Sequence, residues 1–396
     1  MKSRQNVTPA YSLMQGLYWM AFCAVIGFVT VYLRAEGSSA KEIGILIAVS
    51  NIGGALLQPV AAGITDRLSL RKLIMISALA GAVMSTLLFL SDGILTLILY
   101  SGLVALLHVI MPLMNAIGMA YCNETQHCDF GFARAMGSLG FAVISYILGS
   151  LVDTRGVWTI AVTAGLLFFL LFFVMFSAKE PELSKGEDPL LLEGIGKGPS
   201  LLTMGRIYPG FILVILGVFL IYGFHNITNL YLIQMMENVG GSAREMGITI
   251  GLAAVMELPA MVFFTKLQKR LGSGRILQAA SMFWVVKSVG YLLAGRVGHI
   301  YGVQIFQALS FAPFTPGTVY YTDELMADRD KVRGQAFMAG ANTLGGVLGS
   351  LTGGFFLDLA GVKAMLLFSA GLAGAGAAAV IRGTSKSQNS ELADTN

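Results

Sequence analysis

Residues Ser39–Gly44 read SAKEIG, and residues Ser242–Gly247 read SAREMG, an offset of 203 in a chain of 396 residues. Each copy opens an apolar run of about twenty residues, the length of a membrane-spanning helix. Each run ends in a short basic turn, DRLSLRK at Asp66–Lys72 and QKRLGSGR at Gln268–Arg275. Similarity at a fixed offset of about half the chain predicts two parallel repeats.

A second pair of segments supports this duplication. Gly140–Asp153 and Gly345–Asp358 have the same length, and both are followed by a Gly-Val pair that begins at Gly156 and at Gly361. The offset here is 205, close to that of the first pair. The sequence therefore predicts that whole halves were duplicated.

The composition indicates a membrane protein. The chain is 55% hydrophobic and only 12% charged, whereas soluble domains are about a quarter charged. It also contains 48 glycines, a residue that is more frequent in membrane helices than in soluble ones. The net charge of +4 is modest and spread over loops, so it indicates membrane topology and not nucleic-acid binding.

Neither a metal site nor a cleavable leader is expected. Cys122 and Cys128 flank His127, but their spacing matches no common zinc pattern. Lys2 and Arg4 precede an apolar run that is too long for a signal peptide and lacks a cleavage site of small residues. We therefore expect no cofactor beyond an ion gradient.

Twelve apolar runs are long enough to span a membrane, six in each half. In the first half they are Tyr11–Leu33, Ile43–Thr65, Leu73–Leu90, Ile94–Tyr121, Ala135–Val152 and Val157–Phe176. In the second half they are Ile207–Leu232, Met246–Leu267, Ile276–Gly295, Ile300–Tyr321, Gly334–Leu357 and Lys363–Ile381. The expected fold is all-α and integral to the membrane, with two six-helix bundles in parallel repeat.

The domain boundaries follow from these runs. We expect an N-terminal bundle over 1–176, a linker over 177–206, a C-terminal bundle over 207–381 and a tail over 382–396. The linker is polar and contains three prolines.

Lysine and arginine residues predict the orientation. With the N-terminus inside, inner segments carry 19 basic residues and outer loops carry six. Segments rich in lysine and arginine lie on the cytoplasmic side of a membrane. The protein is therefore predicted to lie in a bacterial cell membrane with both termini in the cytoplasm.

Two charges fall in the middle of predicted spans, Glu257 in the eighth and Lys287 in the ninth. Charges within a membrane are costly and mark functional sites by default. One interpretation is a buried ion pair that only holds helices together. The other is proton coupling, because the proton affinity of a buried carboxylate depends on the distance of a neighbouring cation.

Other polar residues form stripes at helical spacing, which predicts that they point into the bundle. The stripes are Gln15, Tyr18, Trp19 and Phe22 on span one, His108, Pro112 and Asn115 on span four, Tyr222, His225, Asn226 and Asn229 on span seven, and Gln304 and Gln307 on span ten. They could line a wet cavity as solute contacts, or serve as hydrogen-bonding links between helices. Arg134 begins the fifth span, either as an anchor at the interface or as a cavity residue whose planar fork binds a hydroxylated or carboxylated solute.

The segment Ala62–Lys72 (AGITDRLSLRK) resembles the loop 2–3 signature of the major facilitator superfamily. The match holds at the Asp, Arg and Arg-Lys positions but has alanine and serine where the signature has glycines. The resemblance implies that Asp66, Arg67 and Arg71 clasp the cytoplasmic ends of helices and bias the transport cycle.

Within that superfamily, Phe130–Phe141 (FGFARAMGSLGF) is similar to the fifth-helix start of the lactose permease and phenylpropionate permease group. The resemblance implies that Arg134 binds substrate, that Glu257 is the essential helix-8 glutamate and that Lys287 replaces a helix-9 arginine. This chain differs from lactose permease at several carboxylates. Asn115 stands near the position of its helix-4 carboxylate, and His225 stands near one of its helix-7 aspartates. The helix-10 histidine and glutamate of lactose permease map near Ala308 and Phe311.

These observations predict a secondary transporter that works by alternating access, with one solute site near the middle of the membrane. The first hypothesis is proton-driven uptake of a small polar organic solute such as a sugar, nucleoside or aromatic acid. The alternative is efflux of sugars or drugs by proton antiport, and sodium coupling also stays open. A non-transporting receptor or scaffold is a third reading, and an enzyme is not expected. The expected partners are the solute, protons and the bilayer, with no nucleic acid, and the protein is expected to work as a monomer.

Overall fold

The computed structural model describes residues 8–64, 68–124, 130–179 and 200–394. Throughout these residues the regular structure is helical, without strands. The α-helices are α1 (Thr8–Phe22), α2 (Val29–Ala35), α3 (Ala40–Ile64), α4 (Leu70–Phe89), α5 (Gly93–Glu124), α6 (Phe130–Arg155), α7 (Trp158–Ser177), α8 (Leu201–Ile207), α9 (Phe211–Leu230), α10 (Leu232–Asn238), α11 (Ala243–Leu271), α12 (Ser273–Leu292), α13 (Val297–Ile305), α14 (Phe311–Leu325) and α15 (Asp328–Asp394). Most of the predicted linker, and the predicted gating residues Asp66 and Arg67, lie outside the described residues.

Eight helices in the described ranges are long and apolar enough to cross a membrane. α11 is bent beyond Pro259, as expected where proline removes a backbone hydrogen bond, and it makes a ninth if its two parts form one span. α15 has 67 residues, and a straight helix of that length would be about 100 Å long, against about 30 Å for the hydrocarbon core. Its backbone leaves helical geometry at Ala360 and Gly361, which divides it into arms over 328–359 and 362–394.

Two predicted spans fall on helices with more polar content. Ile276–Gly295 lies mostly on α12, which carries Lys287 in its middle. Ile300–Tyr321 covers α13, a short 3₁₀ turn at Phe306–Ala308 and most of α14. A mid-helix 3₁₀ turn of this kind is where hinges occur.

Large apolar side chains point outward along the long helices. Leu56 is 70% exposed, Ile94 76% and Phe263 63%. An exposed apolar surface of this extent fits contact with lipid better than contact with water. The burial pattern therefore agrees with an integral membrane protein.

The backbone repeats the sequence duplication. α1 and α2 are separated by a π-helical turn that ends at Phe28, and α9 and α10 by a break at Tyr231, an offset of 203. Glycines with positive φ follow at equivalent loop positions, namely Gly37 and Gly240, and Gly156 and Gly361. A positive φ is easily adopted only by glycine, which explains why these positions kept glycine in both copies.

Contacts divide the chain into two compact units. The first unit contains the described parts of 1–39, 49–191 and 242–255, and the second those of 40–48, 192–241 and 256–396. In the first unit α1 packs on α6 and α7, and α4 packs on α5 and α7. In the second unit α9 packs along α15, and α12 packs on α14 and α15. Each unit therefore includes the first turns of one helix, α3 or α11, whose remainder belongs to the other unit.

Candidate functional site

The second unit brings the two predicted intramembrane charges together through an amide. Lys287 on α12 donates from Nζ to Gln307 Oε1. Gln307 donates in turn from Nε2 to Glu257 Oε1 over 2.9 Å. Lys287 is 2% exposed and Gln307 4%. A buried ammonium and a carboxylate are thus linked by one neutral side chain, and we call these three residues the bridged trio.

Aromatic side chains surround the cation of the trio. The Lys287 ammonium lies 5.4 Å from the ring centre of Trp284 and 5.8 Å from that of Tyr291. Cations are attracted to aromatic faces, more strongly where water is excluded. The Tyr291 hydroxyl accepts a hydrogen bond of 2.9 Å from Gln304. The two glutamines of the span-ten stripe therefore both serve α12, one at its lysine and one at its tyrosine.

His225 lies in a ring cluster beside the trio. Its imidazole stacks on Phe311 with 4.7 Å between ring centres and meets Trp284 edge-on at 5.1 Å. Asn229, one turn further along α9, places its amide nitrogen 3.0 Å from His225 Nε2. Tyr222 shares a 3.1 Å hydrogen bond with Thr315 on α14. Polar and ring groups of α9, α12 and α14 therefore meet around one imidazole.

The predicted stripe on span seven is divided by the structure. His225 and Asn229 belong to the ring cluster, whereas Asn226 accepts a 2.9 Å hydrogen bond from Ser350 on α15. The contact of Asn226 is thus the helix-to-helix link that was one of the two readings of these stripes.

In the first unit, Trp19 and Arg134 form a second candidate site. The Arg134 guanidinium lies over the Trp19 indole at 4.1 Å. The indole N–H donates to Gln15 Oε1 at 3.2 Å, and Gln15 donates to the Tyr11 hydroxyl at 2.6 Å. Stacking leaves the donors of the guanidinium fork along its edge. The arrangement can therefore present a positive, planar donor group to a carboxylate or to hydroxyls.

The remaining predicted residues of this unit have other surroundings. The buried Tyr18 hydroxyl donates to the carbonyl of Leu107 at 3.0 Å. His108 holds its ring through Nδ1, 2.8 Å from the Val104 carbonyl one turn before it. Asn115 lies on an exposed face of α5. Of these residues, Tyr18 also meets the Trp19 indole edge-on, with 5.4 Å between ring centres.

The two units carry a related ring pair with the residue types exchanged. Phe22 and His108 lie 6.4 Å apart in the first unit, and His225 and Phe311 lie 4.7 Å apart in the second. Each residue is offset by 203 from its counterpart, so phenylalanine stands where the other copy has histidine. The equivalent of Glu257 is Gly54, so the acidic group has no counterpart in the first copy.

Arg71 is the one predicted gating residue within the described ranges. Its Nη2 donates to the Phe176 carbonyl at the end of α7 over 3.2 Å. A cation at a helix C-terminus interacts favourably with the helix dipole. Among the described residues no group of histidine, cysteine and acidic side chains could hold a metal ion, and His127 and Cys128 lie outside them.

Comparison with known proteins identifies the family. The chain matches the family model described as MFS_1 like over residues 11–369. The chain belongs to the major facilitator superfamily. The superfamily expected from the loop 2–3 resemblance is thereby confirmed, and members of this superfamily are transporters and not enzymes.

Individual members match over nearly their whole length. The maltose permease of Geobacillus stearothermophilus is 25% identical over 370 residues, which cover 92% of this chain and 91% of that protein. The quinolone resistance protein NorA of Staphylococcus aureus is 21% identical, with coverages of 92% and 93%. The solved nucleoside transporter NupG, as its D323A mutant, superposes with a TM-score of 0.82 at 12% identity, covering 96% of this chain and all of that one. A major facilitator fold and a multi-pass membrane location follow for this chain.

Some residues of the site were not predicted from the sequence. Trp284 lies one turn before Lys287 on α12, and Phe311 stacks on His225. Trp284 is one of only three tryptophans in the chain, and its spacing of three residues from Lys287 was an available signal. Phe311 could be placed by the offset of 203 from His108, although nothing in the sequence gives its stacking.

Proposed function

We propose that this protein is a proton-coupled importer of a small polar organic solute. In this proposal twelve helices cross the membrane in two bundles, over 1–176 and 207–381, joined by a cytoplasmic linker. Both termini are cytoplasmic, and the protein works as a monomer. The excess of basic residues in the inner segments supports this orientation.

The bridged trio is the observation that carries the proposal. Glu257 is the carboxylate that binds and releases the proton, and Lys287 is its counter-charge. A carboxylate whose neighbour can move changes its proton affinity with that movement, and proton coupling needs such a change. A structural ion pair is the competing explanation, but a buried pair is seldom more stabilising than apolar residues of the same volume.

We assign the solute contacts to both units. Arg134 and Trp19 supply a flat cationic donor and Gln15 orients the indole. In the second unit His225 and Asn229 supply polar groups beside aromatic rings. Donors that can meet hydroxyls or a carboxylate next to aromatic surfaces suit sugars, nucleosides and aromatic acids. The maltose permease and the nucleoside transporter among the similar proteins support this class of solute.

Efflux by proton antiport is a second candidate. The similarity to a quinolone resistance protein over more than nine-tenths of both chains favours it. The same trio would serve, with the proton and the solute moving in opposite directions.

The test is to record external pH in weakly buffered cells that overproduce the protein. Maltose, uridine and phenylpropionate are added one at a time, and norfloxacin is added to test efflux. Import predicts transient alkalinisation with one of the first three compounds, and Glu257→Gln should lower accumulation by at least about tenfold, since an amide cannot carry the proton. Glu237→Gln is the control, because Glu237 is an exposed carboxylate on α10.

The outcomes separate the candidates. In de-energised cells norfloxacin that enters through an antiporter exchanges for an outgoing proton, so external acidification on its addition would replace the import hypothesis with antiport. Full accumulation of an imported solute by Glu257→Gln cells, or unchanged efflux of norfloxacin from them, would contradict the role of Glu257.

A further inference from the structure

Gln307 lies where the tenth predicted span is interrupted. It is the middle residue of the 3₁₀ turn Phe306–Ala308 between α13 and α14. The N–H groups of Leu309 and Ser310 both donate to the Phe306 carbonyl, at 3.1 and 2.8 Å. The side chain of Gln307 therefore projects from a turn that joins two helices and not from the middle of a regular helix.

The chemistry of its two partners fixes the orientation of the Gln307 amide. An ammonium group only donates hydrogen bonds and an ionised carboxylate only accepts them. The amide must therefore turn its oxygen to Lys287 and its nitrogen to Glu257, as the structure has it. When Glu257 takes up a proton, its new O–H needs an acceptor, but Gln307 presents to it an amide nitrogen, which only donates. The bridge thus fits one charge state of the trio better than the other.

We infer that Gln307 is a positioning residue that ties the protonation of Glu257 to Lys287 and to the α13–α14 turn. In this inference Gln307 acts between Lys287 and Glu257, and not as the solute contact that was one of the two interpretations of its polar stripe. The inference rests on the proposed function for its place in transport. Protonation of Glu257 weakens the hydrogen bond from the Gln307 amide to Glu257 and releases the 3₁₀ turn Phe306–Ala308. Deprotonation restores the bridge between Lys287 and Glu257.

Other titratable groups lie within electrostatic range of the trio. Tyr222 on α9 interacts with Glu257, and His225 on the same helix interacts with Lys287. Tyr291 on α12 faces the Lys287 ammonium. Of these side-chain types, histidine is the one that changes charge between pH 5 and 8 in water, so the experiment includes a variant that removes His225.

Trp284 supplies a readout that requires no solute, because its ring lies beside the Lys287 ammonium. The chain has three tryptophans, so Trp19→Phe and Trp158→Phe leave Trp284 as the only indole. The fluorescence of this purified protein is titrated with pH in detergent. We expect a transition that disappears in Glu257→Gln and persists in His225→Asn.

Gln307→Leu is the decisive variant, and Gln304→Leu is its matched control. Both glutamines are buried, with exposures of 4% and 3%, and both donate one hydrogen bond, but Gln304 serves Tyr291. Loss of a hydrogen bond to the ionised carboxylate favours the protonated form. The midpoint should therefore rise by about one pH unit in Gln307→Leu and stay unchanged in Gln304→Leu.

Two further variants keep the test falsifiable. If Gln307→Leu does not fold, Gln307→Asn replaces it, since its shorter amide cannot reach both partners. In the Glu257→Gln background Gln307→Leu should add no further change. A midpoint equal to that of the parent protein in a folded Gln307 variant would overturn the inference. If the protein with all three tryptophans shows no proton-linked transport while the fluorescence shift of the single-tryptophan protein is intact, only the proposed function is contradicted.

Discussion

The starts of α3 and α11, which carry the duplicated sequence, make related contacts in the two units, and comparing them shows what the duplication preserved. In the second unit the N–H groups of Ala40 and Lys41 donate to Asp358 at 3.2 and 2.8 Å. In the first unit Ser242 and the N–H of Arg244 donate to Asp153, the latter at 3.0 Å. We call these the Asp358 clasp and the Asp153 clasp. Asp358 accepts from two backbone N–H groups at the start of α3, and Asp153 accepts from the Ser242 hydroxyl and one backbone N–H at the start of α11. Each aspartate therefore caps a helix that lies far away in the sequence.

Close approach of glycines to backbone carbonyls is also common to both clasps. A Cβ atom on Gly44 would lie 2.2 Å from the Ser350 carbonyl oxygen, and one on Gly247 would lie 2.2 Å from that of Ser145. The reciprocal contact repeats as well, with Gly354 against the Ala40 carbonyl and Gly149 against that of Ala243. The duplication thus preserved contacts made by backbone atoms, which only glycine permits.

The clasps differ in one side chain. Tyr231 donates to the Ser350 carbonyl at 2.7 Å and to the Ala40 carbonyl at 3.2 Å. Its counterpart, offset by 203, is Phe28, which has no hydroxyl. Side-chain chemistry diverged further inside the units, where Glu257 belongs to the bridged trio and its counterpart is Gly54. The scaffold was therefore kept where main chains touch and changed where side chains act.

The largest expected effect comes from Gly44→Ala and Gly247→Ala. In an open helix this change stabilises by about 0.5–1 kcal/mol, but here the new methyl group meets a carbonyl oxygen. Overpacking of this kind costs about 1–3 kcal/mol, so the clash wins. Both variants should show a lower thermal unfolding temperature in detergent and a several-fold slower uptake.

Gly53→Ala is the control for that pair, because Gly53 lies in the same helix as Gly44 and a Cβ there would meet nothing within 4 Å. It should unfold at or above the temperature of the parent protein. If Gly44→Ala matches Gly53→Ala in stability, Gly44 does not pack closely on the Ser350 carbonyl. The comparison then fails for the Asp358 clasp.

An intermediate effect should separate the two aspartates. Asp358 uses both carboxylate oxygens, one for each N–H, whereas Asp153 accepts both of its hydrogen bonds on Oδ2. Asparagine keeps one accepting oxygen, so Asp153→Asn can retain both bonds and Asp358→Asn must lose one. Loss of such a cap costs about 1 kcal/mol. Thermal unfolding should show a clear decrease for Asp358→Asn and a smaller one for Asp153→Asn.

The alanine variants are the reference for this difference, since each removes every acceptor of its clasp. Asp153→Ala and Asp358→Ala should destabilise to a similar degree. Equal losses for the two asparagine variants would show that charge, and not the number of accepting oxygens, governs the clasps.

The sequence predicted the duplication because SAKEIG and SAREMG can be compared letter by letter. It also predicted that Glu257 and Lys287 act together, as an ion pair or in proton coupling, since a charge in an apolar run is costly wherever the helix lies. The repeated segments that end at Asp153 and Asp358 were also visible in the sequence, but the capping role of the two aspartates was not. Ala40 and Asp358 are 318 residues apart, and periodicity along one helix carries no information about such a partner.

The same limit explains the interior of the site. Helical spacing predicted that Gln307 lies on a polar face, but it did not predict that Gln307 lies between Lys287 and Glu257. Spacing also grouped Asn226 with His225, whereas adjacent positions on a helix point about 100° apart and Asn226 meets Ser350 on α15. A stripe predicts which residues avoid lipid, and only packing decides which neighbour each one meets.

The smallest effect tests the one side chain that distinguishes the clasps. Tyr231→Phe removes the hydroxyl and makes the Asp358 clasp like its counterpart at Phe28. A net hydrogen bond contributes about 1 kcal/mol, and the Asp358 and Gly44 contacts stay in place, so the loss of unfolding free energy should stay near that value. Tyr146→Phe is the control, because Tyr146 is 48% exposed. If both variants unfold alike, the hydroxyl adds no stability to the Asp358 clasp. If Tyr231→Phe loses more than Gly44→Ala, the hydroxyl and not the close backbone contact is the stronger part of that clasp.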